Sequence, residues 1–163
     1  MSAIISPCGR YRYRLHREWG EGGECLFVML NPSTADAEKD DPTIRRCIGF
    51  ARQFGCGSLT VVNLYALRAT HPRALFAAID PVGPENEAHI LRALTQPPAL
   101  VIAAWGAHGH RSVARQKFLL AAQRTENPVW CLGWTKDGAP RHPLYVRADA
   151  LLVRLEAEGE GDA

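Results

Sequence analysis

The chain has 163 residues, 47% hydrophobic and 22% charged, the make-up of one ordinary globular domain rather than of a disordered chain. Its formal charge of +2 is small for a protein that clamps duplex DNA along many phosphates, although local basic clusters still permit contact. No apolar run is long enough to cross a bilayer, and the first residues lack a signal-peptide core, so a cytoplasmic protein without membrane contact is expected.

In chain order, Tyr11, Tyr13 and Leu15 alternate with Arg12, Arg14 and His16, the period of a half-buried strand. The turn Gly20-Glu21-Gly22-Gly23 leads from it into residues 25–30, which predicts an N-terminal β-hairpin. Residues 25–30 (CLFVML) do not alternate; continuous apolar character predicts a strand covered on both faces. Asp41-Pro42-Thr43 is a helix start, with Asp as cap and Pro at the first helical position. Ile44, Cys47, Ile48 and Ala51 follow at helical spacing, and Gly55 and Gly57 end the helix.

Residues 59–62 form a second buried strand ending at Asn63. Residues 72–79 and 84–94 read as helices opened by proline, and Glu85 and Glu87 suit the positive end of the second. A third strand over 99–105, a helix over 112–122 and a fourth strand over 129–132 complete the pattern. This alternation predicts a single α/β domain over residues 1–155, a three-layer α/β/α arrangement with a mostly parallel central sheet. A flexible acidic tail is expected over 156–163.

Cys8, Cys25, Cys47, Cys56 and Cys131 are scattered without a C-x-x-C pair. Reduced thiols are expected, with no metal and no other cofactor.

In open α/β sheets, ligands bind beyond the carboxyl ends of the strands. The first tip carries Asn31, Pro32, Ser33 and Thr34, and the second Asn63 and Tyr65. The third carries Trp105, Gly106 and His108, and the segment after the fourth includes Arg141 and His142. Amides, hydroxyls, aromatic faces and imidazoles gathered at one edge suit a planar nucleobase.

Each residue has a plainer reading. Asn31 and Ser33 also close turns, Asp41 caps a helix, Trp105 fills a core and Gly106 turns the chain. His108-x-His110 lacks a third ligand at metal spacing, which favours a solvated or phosphate-facing pair. Arg111, Arg115, Lys117 and Arg124 read as an exposed helix face, and Asp36, Glu38, Asp40 and Asp41 as a solvated loop or one that activates water.

Two resemblances follow from these segments. VMLNPSTAD, DPTIRRCIGFA, VVNLYALRATHP, DPVGPEN, AAWGAHG and PRHPLY resemble a domain-of-unknown-function family of small bacterial and phage proteins, over nearly the whole chain. More distantly, four motifs in order are similar to the uracil-DNA glycosylase superfamily: Leu30-Asn31-Pro32-Ser33, Val62-Asn63-Leu64-Tyr65, Ala104-Trp105-Gly106 and Arg141-His142-Pro143-Leu144. That resemblance implies a glycosylase-like fold, with Asn31 positioning water and Asn63 reading a base edge. It also implies that His142 stabilises a departing base, with Pro32, Ser33, Thr34, Tyr65, Trp105, Gly106 and His108 shaping the pocket. Asn31 stands where the fastest such enzymes carry Asp, and Asn cannot act as a general base. No wedge loop for base flipping is visible.

The sequence therefore leads to N-glycosidic hydrolysis on a base in DNA or on a nucleotide. A non-catalytic nucleotide or modified-base binding module is the alternative, and a structural protein with a filled pocket the third reading. It does not fix the oligomeric state.

Overall fold

The computed structural model describes residues 1–155; the tail expected over 156–163 lies outside the described residues. The strands are β1 (Ser2–Ile5), β2 (Arg12–Glu18), β3 (Glu24–Met29), β4 (Ser58–Asn63), β5 (Leu100–Ala103), β6 (Val129–Cys131) and β7 (Val153–Arg154). The helices are α1 (Pro42–Gln53), α2 (Pro72–Ala77), α3 (Asn86–Thr95) and α4 (Val113–Arg124). Among the described residues, no helix is long and apolar enough to cross a membrane.

The fold is mixed α/β, built on one sheet in the order β1-β2-β4-β3-β5-β6-β7. β3 lies parallel to both β4 and β5, and β6 continues the parallel set beyond β5. The margins are antiparallel: β2 on β4, β1 on β2 and β7 on β6. The sheet is thus mixed, with parallel pairing confined to its centre.

The hairpin expected from the glycine turn is not formed between β2 and β3. β4 lies between them, and the N-terminal antiparallel pair is β1 with β2. The glycines serve a crossing instead. The Trp19 and Gly20 N–H groups both donate to the Gly57 carbonyl, at 3.1 and 3.2 Å, and the Gly57 N–H donates to the Gly23 carbonyl at 3.0 Å. A Cβ at Gly57 would lie 2.4 Å from the Gly20 carbonyl oxygen, so the turn fits over the start of β4 only without one.

β3 alternates between two apolar clusters. Leu26 and Val28 pack with Ile90 and Leu94 of α3 and Phe118 of α4, whereas Cys25, Phe27 and Met29 pack with Ile44, Cys47 and Phe50 of α1. Cover on both faces is why residues 25–30 carry no polar alternation. The α1 start follows its sequence signal: Pro42 opens it and Asp41 Oδ1 accepts the Ile44 N–H at 2.9 Å. Ser112 caps α4 in the same way, its Oγ accepting from the Arg115 N–H at 3.1 Å. α3 begins at Asn86, two residues past Pro84, without a side-chain cap. Arg115, expected on the exposed face of α4, is buried, whereas Lys117 forms an exposed ion pair with Glu87 at 2.9 Å.

The chain passes from β3 to β4 through α1 on one side, then back across β3 to β5 through α3 on the other. The carboxyl ends of β3 and β5 therefore flank the point where the winding reverses, where such sheets leave a crevice.

Gly57→Ala should lower stability by about 1–3 kcal/mol by forcing the turn off β4. The check is urea denaturation, with the midpoint falling at an unchanged slope; an unaltered midpoint would show that the crossing does not depend on this close approach.

Candidate functional site

A cavity of about 560 Å³ opens at the carboxyl ends of β3, β4 and β5, within the range of small-molecule sites. Asn31, Pro32 and Ser33 line it from β3, Asn63 from β4, Trp105, Gly106 and His108 from β5, and His142 from the segment after β6. Two sequence candidates lie elsewhere. Thr34 is exposed and is not among the lining residues. Tyr65 belongs to the cluster under α3 and α4, edge-on to Phe76 with ring centroids 5.6 Å apart.

The loop beyond β3 is tied to the loop beyond β4. Asn31 Nδ2 donates to the carbonyls of Pro32 at 3.0 Å and Ala69 at 2.7 Å, and the Ala69 N–H donates back to Pro32 O at 3.2 Å. Two carbonyl acceptors fix which end of the amide is nitrogen. The turn-closing role read from sequence is thus filled by Nδ2, while Oδ1 has no hydrogen-bond partner among the described residues.

Asn63 is in a different state. It is 1% exposed, yet neither Nδ2 nor Oδ1 has a hydrogen-bond partner among the described residues. Its backbone is fixed: Met29 is its register partner, and Asn86 Nδ2 donates to the carbonyls of Asn63 and Leu64 at 2.9 and 3.3 Å. A buried amide with both ends unpaired costs about 1–3 kcal/mol per group, and here it borders the cavity.

Trp105 is mainly a core residue. Its ring is 1% exposed, edge-on to Phe118 at 5.8 Å, and a Cβ at Gly109 would come within 2.7 Å of the indole; Nε1 is buried and has no hydrogen-bond partner among the described residues. Gly106 has φ +73°, a conformation L side chains rarely adopt, and its N–H donates to the Pro140 carbonyl at 2.9 Å. That bond draws the β5 tip toward the segment carrying His142.

The His142 segment is clamped by α1, from which Arg46 donates to the Pro143 carbonyl at 3.2 Å and to the Val146 carbonyl. His142 Nδ1 accepts the Leu144 N–H at 3.2 Å, so the neutral ring carries its proton on Nε2. Burial lowers the His142 pKa below its ordinary 6.5, and the Asp41 charge partly restores it. The site thus offers a neutral imidazole N–H.

Arg12 and Asp41 also line the cavity; Arg12 was not among the sequence candidates, and Asp41 was read as a helix cap and as part of a loop that could activate water. Arg12, expected on the open side of its strand, is 2% exposed; its Nη1 donates to the Ala35 carbonyl at 2.9 Å and its Nε has no partner among the described residues. Burial pushes its pKa down to about 10, with nearby Asp41 acting against the shift; it remains charged at neutral pH. Asp41 both caps α1 and lines the cavity. The rest of the acidic loop is structural: Asp36 Oδ1 accepts the Glu38 and Lys39 N–H groups, and Asp40 pairs with buried Arg17 at 2.8 Å. No residue pattern marked Arg12, because its cover comes from a loop more than twenty residues away. Among the described residues, no group of three or more His, Cys, Asp or Glu side chains forms a metal site.

These features define a mixed α/β protein with a ligand-sized cavity at the reversal point of its sheet. The chain belongs to the family described as protein of unknown function (DUF1643), whose model matches residues 12–144, from buried Arg12 to just past His142. No curated protein and no solved structure matches it.

The state of His142 can be read by NMR titration. Its midpoint should fall below 6.5, and lower still in Asp41→Asn, which removes the charge that favours the imidazolium. Because the folded pKa is depressed, the contribution of His142 to stability is complete above 6.5 and is lost as pH falls through the folded value. A midpoint at or above 6.5 would contradict the buried, neutral assignment.

Proposed function

We propose that the cavity holds a nucleobase and that the protein hydrolyses the N-glycosidic bond joining it to a sugar, in DNA or in a nucleotide. The observation that carries this reading is the Asn63 amide, buried at the cavity with donor and acceptor both unpaired among the described residues. An adjacent carbonyl and ring N–H on a base edge is the complement of such an amide. Apolar ligands leave both groups orphaned, and a purely phosphate ligand leaves the donor as the only useful end.

The other parts take roles their geometry allows. Asn31 Oδ1, the free end of an otherwise committed amide, accepts a hydrogen bond from the attacking water. His142 donates from Nε2 to a base carbonyl as negative charge develops there, and a neutral donor held in place needs no reorganisation during the reaction. Tyr145, whose ring centroid lies 5.6 Å from that of His142, supplies an aromatic face at the rim. Trp105 contributes its unpaired indole N–H rather than its ring face. We read α1 on one side of the sheet and α3 and α4 on the other as the three-layer, glycosylase-like arrangement implied by the four motifs. All four motifs contribute residues to one cavity, which supports the reading. The transition state is oxocarbenium-like, and catalysis is chiefly electrostatic placement.

The test is base release by mass spectrometry from single- and double-stranded oligonucleotides carrying uracil, thymine mismatches, hypoxanthine or hydroxymethyluracil, and from free nucleotides. Asn31→Ala and His142→Ala should each lower release by about 10²–10³-fold. Release unchanged in both would exclude the assignment; saturable calorimetric binding without release from any substrate would make the protein a binding module instead.

Asn63→Leu separates recognition from folding. It should abolish base binding while leaving stability unchanged or raising it by about 1–3 kcal/mol, since it removes orphaned polar groups. Marked destabilisation with binding intact would mean the amide serves the fold.

A further inference from the structure

We infer that Asp41 is the general base that deprotonates the attacking water. This rests on the hydrolytic reading above, whose water-holding residue, Asn31, can position a water but cannot take its proton.

The remaining groups at the cavity narrow the choice. His142 has its Nδ1 lone pair occupied by the Leu144 N–H and its Nε2 protonated, so it enters the reaction as a donor. Arg12 and Arg141 are cations, and His108 is exposed to solvent whereas Asp41 is half-buried. Asp41 is the sole carboxylate among the described residues that line the cavity. Its position is fixed by α1: Pro42 sets the first helical turn, and Oδ1 is held by the Ile44 N–H at 2.9 Å. One oxygen is thereby spent on the cap, and Oδ2 remains with a lone pair for water. Asp41 lines the same cavity as Arg12 and His142, and its charge acts on both. A cap residue that also borders a cavity performs two tasks with two oxygens, so the capping motif conceals the second.

The step balances without a further reactant. Water oxygen bonds to the anomeric carbon while Asp41 Oδ2 takes one water proton. The bond from that carbon to the base nitrogen breaks, and its electron pair passes into the base, where His142 stabilises it. The proton on Asp41 then leaves through solvent to the released base, giving free base and the sugar hydroxyl.

The experiment compares wild type, Asp41→Asn and Asp41→Ser in the base-release assay across pH, with thermal unfolding and base affinity measured alongside. Asn and Ser cap helices about as well as Asp, so both variants should fold and bind base as wild type does. Release should fall by about 10²–10⁴-fold in each, the range for general-base catalysis, with a pH profile that differs from that of wild type. Wild-type release matched by either variant with the same pH profile would overturn the role of Asp41 while leaving the hydrolytic reading intact. Absence of release by wild type from every substrate would remove the hydrolytic reading and this inference with it.

Discussion

β3 has a hydrogen-bonded parallel neighbour on each edge and a packed cluster against each face. A strand held on four sides cannot bend, and its neighbours end almost level with it: Met29 is paired with Asn63, and Val28 with Ala103. Beyond that line the chain must leave the sheet in several directions at once. α1 takes one face and α3 the other, so the departing chains diverge and leave a hollow between them. Pro32, which cannot donate to a ladder, helps end the strand there, and the amide of Asn31 ties the departing loop to its neighbour beyond β4.

The hollow concentrates polar groups that a core would reject. Asn63 and Trp105 Nε1 are buried without partners among the described residues, Arg12 keeps a charge under cover, and burial lowers the His142 pKa. Their cost is met by the two apolar clusters, which take in residues 25–29 of β3 and Leu59, Val61 and Val62 of β4. Such local departures from polar satisfaction concentrate where a protein meets a ligand. The surrounding geometry is stiff: Asn86 fixes the Asn63 backbone, Arg46 fixes the His142 segment, and Asp41 begins α1 at the cavity wall.

Much of this was legible in the residues. The unbroken apolar run of β3 implied cover on both faces, Asp41-Pro42 marked a helix start, and the strand ends pointed to residues that share one cavity. Three features were not legible, each for want of a long-range contact. The glycines before β3 look like a hairpin turn, but Gly57, more than thirty residues later, fills the space where that turn would close. Alternation in β2 placed Arg12 outward, and only the loop after β3, folding back so that Ala35 accepts from its guanidinium, buries it. Tyr65 stands at a strand tip like Asn63, but its N–H bonds to the Leu30 carbonyl and its ring packs on Phe76, away from the cavity. Asp41 was read both as a helix cap and as part of a loop that could activate water; the capping motif describes a local bond and says nothing of what faces the other oxygen.

The central claim is that the Asn63 amide is kept unpaired for the edge of a base. The most direct measurement follows the Asn63 side-chain NH₂ resonances, assigned by their loss in Asn63→Leu, while ¹⁵N-labelled protein is titrated with free bases and nucleosides. A saturable shift of those resonances, given by a base with an adjacent carbonyl and ring N–H and lost when that N–H is methylated, is the predicted result. Resonances unmoved by every base and nucleoside, with the protein folded, would contradict it.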